Sequence, residues 1–303
     1  MIEMGSSSFC SPACRGVGVE HLYLNGGMGD SGFNQQPING IVNWNSQDGS
    51  YVSDVLMTGV GLIGLDIESN AESSGPYSDI EDDIGSTESS ASCAQIKSVN
   101  GGTRGIRGLT CISSRLAYSP VAVYLDSSNN VIKDVRIAGS NNGGSNNGGF
   151  NDGGFNDGIL VGSQATAQSN VLFNILGDTP SGGATAVVNV VHISAANTVS
   201  DLSVMGVANQ GGSNTYSVRD DLTSTALLDP QVAMYVLGKK VSIGGNNFGY
   251  SRFTTSPSTT TWASGAAAPS GTCALENQGS LYSDTASGAL YLCKNPMWQP
   301  VTH

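Results

Sequence analysis

Among the 24 acidic residues and three histidines of a 303-residue chain, Asp178, Asp201, Asp220, Asp221 and His192 are the candidates for acid–base chemistry. Two carboxyls, one kept protonated and one ionised, can give and take a proton across a single bond. His192 lies in Val190-Val191-His192-Ile193 and titrates near neutrality unless burial moves it. The same setting also suits a hydrogen-bonded core histidine. The four aspartates stand at the ends of apolar runs or in turns, so their chemistry depends on folding lining them up on one face. Otherwise they are turn residues. Gly26-Gly27-Met28-Gly29 lacks the helix that a phosphate loop needs, and no Ser-His-Asp set is evident. Cys10, Cys14, Cys93, Cys111, Cys273 and Cys293 form an even set without a Cys-x-x-Cys pair, and His21, His192 and His303 stand apart. Disulfides in an oxidising compartment are expected, paired between neighbours as 10–14, 93–111 and 273–293. Zinc is the alternative.

The elements that must position these groups are short strands. In Pro120–Gly139 two alternating runs rich in β-branched residues, Val121–Leu125 and Val131–Ile137, flank an Asp-Ser-Ser-Asn-Asn turn. The second run follows the pattern apolar-x-polar-apolar-x-apolar-x-Gly, with Asp134 as the third residue. Copies begin at Val19, Val52, Ile106, Leu172 and Val199, and Tyr77–Gly85 is a looser one. The third positions are His21, Asp54, Gly108, Asp134, Asn174 and Asp201, at steps of 33, 54, 26, 40 and 27 residues. A period near 27 accounts for three of these steps, and inserted loops account for the other two. Asn130, Asn170 and Asn197 each lie four residues before a third position, which suggests a ladder of amides between stacked coils. Ordinary surface turns are the alternative.

Within the 40-residue step, residues 140–159 are four copies of a five-residue repeat such as Ser-Asn-Asn-Gly-Gly. This reads as a flexible Gly/Asn loop at 140–158. Asp152 and Asp157 leave a Ca²⁺ site open as an alternative. Residues 1–16 read as an irregular start, 17–253 as the repeat and 254–272 as a Ser/Thr/Ala/Pro linker. Residues 273–303 read as a hairpin module, with Asp284-Thr285-Ala286-Ser287-Gly288 at its turn and Cys273–Cys293 as its staple.

Composition narrows the function classes. The chain has 41 Gly, 12% charged residues and a net charge of −12. Many turns and many strands follow, and the basic footprint of nucleic-acid binding is missing. Neither an 18-residue apolar span nor an apolar leader is visible, so a secreted composition of this kind suggests a fragment.

Val121–Gly139, Ile159–Gly177 and His192–Gly206 resemble the right-handed parallel β-helix proteins of the pectate-lyase-like superfamily, over roughly 17–250. The Gly-x-x-Gly-Asp-Gly opening of that superfamily is missing. The tail resembles the small Cys-stapled hairpins of bacterial surface and phage-fibre proteins. The expected fold class is all-β: a right-handed parallel β-helix, a linker and a small disulfide-stapled hairpin. The resemblance implies a secreted or cell-surface protein that binds, and in some members cleaves, polysaccharide. Inverting hydrolysis needs two carboxyls about 6.5–9.5 Å apart. Arg219-Asp220-Asp221 and Gly177-Asp178-Thr179 supply acids, but the Gly-His-Gly and Arg-Ile-Lys motifs of polygalacturonase-type hydrolases are missing. A lyase would draw on Lys133, Arg136 or Arg219 beside Ca²⁺; no other cofactor is implied. Trp44, Tyr118, Tyr124, Phe248 and Tyr250 are candidate sugar-stacking rings, and Arg136 and Arg219 candidate binding residues. The other reading is a non-catalytic structural or adhesive module that assembles as a homo-oligomer through the β-helix side or the C-terminal module.

Overall fold

The computed structural model describes residues 1–6, 10, 13–27, 38–68, 77–84, 91–97, 104–113, 119–139, 154–178, 187–210, 216–222, 226–227, 233–236, 240–243, 246–249, 262–270, 273, 279–294 and 296–301. Among the described residues every regular element is a strand. The chain divides into two units, residues 1–222 with 229–253 and residues 223–228 with 254–303.

In the first unit the chain alternates between two stacks of parallel strands. One stack runs β1 (Ile2–Met4), β4 (Ile41–Asn43), β7 (Ile63–Ile67), β9 (Ser92–Ile96), β11 (Ser119–Leu125), β13 (Phe155–Val161), β16 (Val187–Ile193) and β19 (Tyr216–Asp220). The other runs β3 (Gly18–Asn25), β6 (Tyr51–Thr58), β8 (Tyr77–Ile84), β10 (Arg104–Ser113), β12 (Asn130–Gly139), β15 (Val171–Asp178) and β18 (Ser203–Asn209). The two runs of Pro120–Gly139 are therefore neighbours in sequence that enter different sheets. Short parallel pairs, β2 (Cys14–Arg15) with β5 (Ser46–Gln47) and β14 (Ala167–Gln168) with β17 (Val199–Ser200), link some of the turns. The second stack ends where β21 (Ala233–Val236) pairs antiparallel with β18, and β22 (Lys240–Ile243) pairs with β23 (Asn246–Gly249). An antiparallel strand laid on the last parallel one covers an edge that would otherwise offer its backbone to other chains.

Side chains of like position stack in rows. In the first sheet Leu65, Ala94, Val123, Ile159, Val191 and Val218 form one buried row, and Ile67, Ile96, Leu125, Val161 and Ile193 form the next. Each such side chain touches its copies above and below, so burial worth roughly 1.5–3 kcal/mol per residue accrues only between neighbouring coils. The second row is interrupted by a polar group. Asn43 stands in it between Met4 and Ile67 and is buried, its Nδ2 donating to the Tyr77 hydroxyl (2.5 Å) and its Oδ1 accepting from Ser46 N (2.9 Å).

The second sheet bends at one residue per coil. His21, Asp54, Asp79, Gly108, Asp134, Asn174 and Gly206 share a register position, and all have φ between 52° and 70°. Two successive outward residues sit at this bend, so the apolar positions fall at 19 and 22, 52 and 55, or 132 and 135 rather than two apart. Asp, Asn, His and Gly are the residues that tolerate this left-handed geometry. Polar contacts bridge the column: His21 Nδ1 lies 2.6 Å from Asp54 Oδ2, and Asn174 Nδ2 donates to Asp134 Oδ1 (2.8 Å). The Asp54 hydrogen bond raises the pKa of His21.

Register corrects the last copy of the repeat and bears out the looser one at Tyr77. The third position of the last copy is Gly206, 32 residues after Asn174, and not Asp201. Asp201 also has positive φ, but in a separate corner, one residue past β17 and aligned with Ser169. Tyr77–Ile84 is a full copy with Asp79 in the slot, so the 54-residue step divides into 25 and 29. The amide ladder holds for Asn130 and Asn170: Asn130 N and Nδ2 both donate to Asn170 Oδ1 (2.9 Å each), while Asn170 Nδ2 donates to Ser127 O (2.9 Å). Asn197 is not in it; its Nδ2 donates to Gly162 O (3.1 Å). Of the Gly/Asn tract, 140–153 lie outside the described residues. The last copy is not loop, because Phe155 is fully buried and opens β13.

In the second unit, β20 (Ala226–Leu227) is a short strand, and β24 (Trp262–Gly265) pairs parallel with β25 (Leu281–Asp284). Part of the stretch expected to be a linker is thus strand; residues 254–261 lie outside the described set. β25 pairs antiparallel with β26 (Leu290–Lys294), and β26 with β27 (Met297–Pro300). Asp284 holds the β25–β26 turn by accepting from Ser287 Oγ (2.5 Å) and Ala286 N (2.9 Å), and Tyr282 meets Trp298 edge-on at 6.0 Å. The six cysteines pair as Cys10–Cys14, Cys93–Cys111 and Cys273–Cys293. Three disulfides fit an oxidising, extracellular setting. No helix among the described residues is long and apolar enough to cross a membrane.

The shared corner makes a test. Replacing Asp79 by Asn leaves the urea midpoint near that of the parent. Asp79→Val, β-branched at positive φ, loses about 1–2 kcal/mol. Equal midpoints for the two variants would show that the corner geometry does not restrict the residue.

Candidate functional site

The outward side chains of the first sheet form polar rows that cross the coils. One row is Asp66, Gln95, Tyr124, Leu160, His192 and Arg219, each in register with the next. A parallel row contains Asp157 and Asn189, also in register. Just beyond the strand ends stand Glu68, Lys97, Asp126, Ser194 and Asp221, whose amides continue the ladder by donating to residues 43, 67, 96, 161 and 193. Regular parallel pairing therefore brings residues from distant parts of the sequence to within one coil of each other.

The densest cluster centres on His192. Its Nε2 lies 2.8 Å from Asp221 Oδ2 and its Nδ1 3.0 Å from Asp157 Oδ1. The second contact is off the N–H line, so it is a charge contact more than an aligned hydrogen bond. Arg219 Nε donates to Asp221 Oδ1 (2.8 Å), and Asn189 Nδ2 donates to Asp157 Oδ1 (2.8 Å). Partial burial disfavours the imidazolium, but Asp157 and then Asp221 outweigh it and raise the His192 pKa. Burial likewise opposes ionisation of Asp221, and its bonds from His192 and Arg219 prevail, so its pKa falls. Tyr124 sits one coil beyond Leu160, half-buried, with its phenol pKa raised by burial and then by Asp126 and Asp157. Asp126 is buried and accepts from Gln164 N (2.8 Å) and Ser163 Oγ (3.3 Å), which makes it a turn-holding residue of the next coil.

A second cluster lies on the same face in earlier coils. Asp66 accepts from Asn39 Nδ2 (3.0 Å) and Gln95 Nε2 (3.2 Å), and the same amide nitrogen lies 3.1 Å from Glu68 Oε1. Lys97 Nζ is 3.9 Å from that Glu68 oxygen. Burial, then the neighbouring Glu68, push Asp66 up to about 7. Asp66 is only 4% exposed, so little of its carboxyl reaches solvent.

The residues singled out from sequence divide clearly. His192, Asp221, Arg219 and Tyr124 share the outer face of the first sheet. Trp44, 39% exposed, follows β4 on that sheet, and its neighbour Asn43 accepts the amide of Glu68. Asp220, adjacent to Asp221, is buried, and its Oδ1 accepts from Leu222 N (2.9 Å). Arg136 and Asp178 are elsewhere: they pair across β12 and β15 on the second sheet, with Arg136 Nε donating to Asp178 Oδ2 (2.7 Å). Lys133 is half-buried in the same strand. Asp201 stands in its corner. Tyr118 and Tyr250 lie outside the described residues, and the side chain of Phe248 is likewise not described. The set Asp178, Asp201, Asp220 and Asp221 is thus spread over two sheets and a corner, because strand alternation and the change of sheet, not sequence proximity, decide where each points.

Asn189, Asp66, Glu68, Gln95 and Lys97 were not legible as site residues, and Asp157 reads only as an alternative Ca²⁺ ligand of the Gly/Asn tract. Asp157 was hidden inside the five-residue repeat, although the apolar run Gly158–Val161 after it marks a strand start. Leu65-Asp66-Ile67-Glu68 carries a clean alternation that places both acids on the outer face. Among the described residues no group of three or more His, Cys, Asp and Glu has the arrangement of a metal centre.

The pKa directions give a test. In Asp221→Asn, the His192 pKa measured by NMR titration falls relative to the parent. The raised His192 contributes stability fully present below its unfolded value, near 6.5, and lost as pH rises through the folded value. The lowered Asp221 contributes stability above its unfolded value, near 3.8, and lost as pH falls through the folded one. An unchanged His192 titration in the variant would remove Asp221 from the cluster's electrostatics.

Comparison with known proteins finds no matching family model, no matching curated protein and no matching solved structure.

Proposed function

We propose that this is a secreted or cell-surface protein whose stacked coils close as a right-handed parallel β-helix of the pectate-lyase-like kind, and that the outer face of its first sheet binds polysaccharide. The observation that carries the reading is the convergence of Tyr124, Asp157, Asn189, His192, Arg219 and Asp221 on that face. An aromatic ring beside charged and amide groups held by one another is the surface a sugar chain needs: the ring offers an apolar face, and the fixed polar groups take hydroxyls without having to be ordered on binding. The rows run across the coils, so successive sugar units can meet successive coils.

Binding is favoured over cleavage. Asp157 and Asp221 both lie against the raised His192, and the lowered pKa of Asp221 is the wrong direction for a proton donor. The raised Asp66, beside Glu68, is covered by Asn39 and Gln95. A second reading, a structural or adhesive module, draws on the outer face of the second sheet. There Phe173 and Met205 stand in register, 48% and 36% exposed, as do Tyr23 and Leu56 at the other end. Self-association through this face would cover them.

A glycan array probed with the full chain tests the first reading. Binding to a polysaccharide is expected, and Tyr124→Ala and Arg219→Ala each weaken it at least tenfold, about 1.4 kcal/mol. No binding to any glycan, together with a dimer or larger species in sedimentation that Phe173→Ser abolishes, would replace it with the second. Product release from the bound polysaccharide, lost in Asp66→Asn, would restore cleavage.

A further inference from the structure

Inside the second sheet one inward row reads Leu24, Met57, Asp82, Cys111, Ile137, Gly177 and Asn209. Asp82 takes a place that Met57 and Ile137 fill with apolar side chains. It is 0% exposed, and neither carboxyl oxygen has a hydrogen-bond partner among the described residues. The space it occupies comes from a glycine across the core: a Cβ on Gly64 would stand 2.0 Å from Asp82 Oδ2 and 2.7 Å from Cys93 O. Next to it the Cys93–Cys111 disulfide joins the two sheets through the core, with Cys93 Sγ 3.6 Å from Asp82 O.

Among the described residues the groups facing this carboxyl are Met57 from β6, Cys111 from β10, Gly64 from β7 and Cys93 from β9, and none of these is charged. On its own strand the nearby acid is Asp83, whose Oδ1 is also buried without a partner. A lone ionised carboxylate in such a place is far more costly than a neutral one. We propose that Asp82 makes the coil of β7, β8 and β9 a pH-sensitive joint: neutral, it packs in the core beside the disulfide; ionised, it loosens this coil from its neighbours while Cys93–Cys111 keeps the two sheets tied.

Burial first, then Asp83, raise Asp82 well above the usual carboxylate range, in agreement with this geometry. The folded protein therefore holds the proton more tightly than the unfolded chain. Stability from this residue is fully present below the unfolded carboxylate pKa and is lost as pH rises through the folded value. The outer face of β7 carries Asp66, raised to about 7, whose contribution is lost in the same sense. One coil thus holds two acids, one in the core and one outside, that both respond to rising pH. The conformational response reaches the polar face of the first sheet through β7 and β9.

The test compares the full-length parent with Asp82→Asn, Asp66→Asn and Gly64→Ala from pH 5 to pH 9, by thermal midpoint and by hydrogen exchange over residues 77–84 and 91–97. In the parent the midpoint is expected to fall by at least about 3 °C across this range, with exchange in both segments faster at pH 9 than the intrinsic rate explains. Asp82→Asn abolishes the exchange response over 77–84 and reduces the change in midpoint to the part due to Asp66. Asp66→Asn reduces the change in midpoint but leaves the exchange response over 77–84. Gly64→Ala presses on the carboxyl and lowers the midpoint at every pH. All six cysteines are paired and the described residues hold no free thiol to start exchange, so reshuffling does not mimic the effect. An Asp82→Asn protein with the parent's pH slope, or parent exchange over 77–84 independent of pH after intrinsic correction, overturns the proposal. Should Asp82→Asn fail to fold, the parent's exchange profile alone decides.

Discussion

A coil that must return the chain to the same place needs a corner that can be made again and again, and here that corner is a single residue with positive φ. Seven aligned positions adopt it, and their identities (His, Asp, Asp, Gly, Asp, Asn, Gly) are those for which left-handed geometry costs least. The corner sets everything downstream. Because it turns two successive side chains outward, the apolar positions on either side can both face in, and the second sheet presents two inner rows at an angle instead of one flat face. A β-branched residue there would raise the cost of every coil it occupied, and strands with strict alternation through that point would turn half their apolar set to water.

Once the corner is fixed, register does the rest. Parallel ladders bring residue i of one coil beside its equivalent in the next, whatever the length of the intervening loop. Coils separated by 40 residues, such as Asn130 and Asn170, meet as closely as coils separated by 25. That is why the polar cluster around His192 draws on β13, β16 and the residue after β19, and why its geometry depends on no single loop. The same rule separates Arg136 and Asp178 from it: they lie beyond the corner, on the other sheet, and satisfy each other there.

The repeat was readable because its signal is local: apolar alternation, a corner residue, a closing Gly. What failed was counting across irregular coils. Asp201 matched the local pattern and even shares the positive φ, yet belongs to another corner, because the loop before β18 is longer than the period suggested. Asn197 failed with it. The site was half legible. Arg219-Asp220-Asp221 attracted attention as an acid pair, but in a strand adjacent residues face opposite sides, and Asp220 is buried while Asp221 joins His192. Asp157, Asn189 and the Asp66–Glu68 pair needed the register, since their partners come from other coils and no local motif names them.

The acids of this chain show what position alone does to one chemical group. Asp221 has the cations His192 and Arg219 within reach, and its pKa is lowered despite partial burial. Asp66, two residues from Glu68 and with Lys97 only at the far side of that glutamate, is raised to about 7. Asp82 has no cation beside it among the described residues and is raised as well. With 12 basic residues against 24 acidic ones, cations are scarce, and an acid that a coil turns inward meets apolar rows instead. On the first sheet's outer face His192 and Arg219 stand against Asp221, and its pKa falls. In earlier strands Asp66 faces out but is covered by Asn39 and Gln95, and Asp82 faces in among apolar side chains, and both hold a proton more tightly than a free carboxyl does. What separates these three aspartates is the register that sets each one's neighbours, not any difference in the residues themselves.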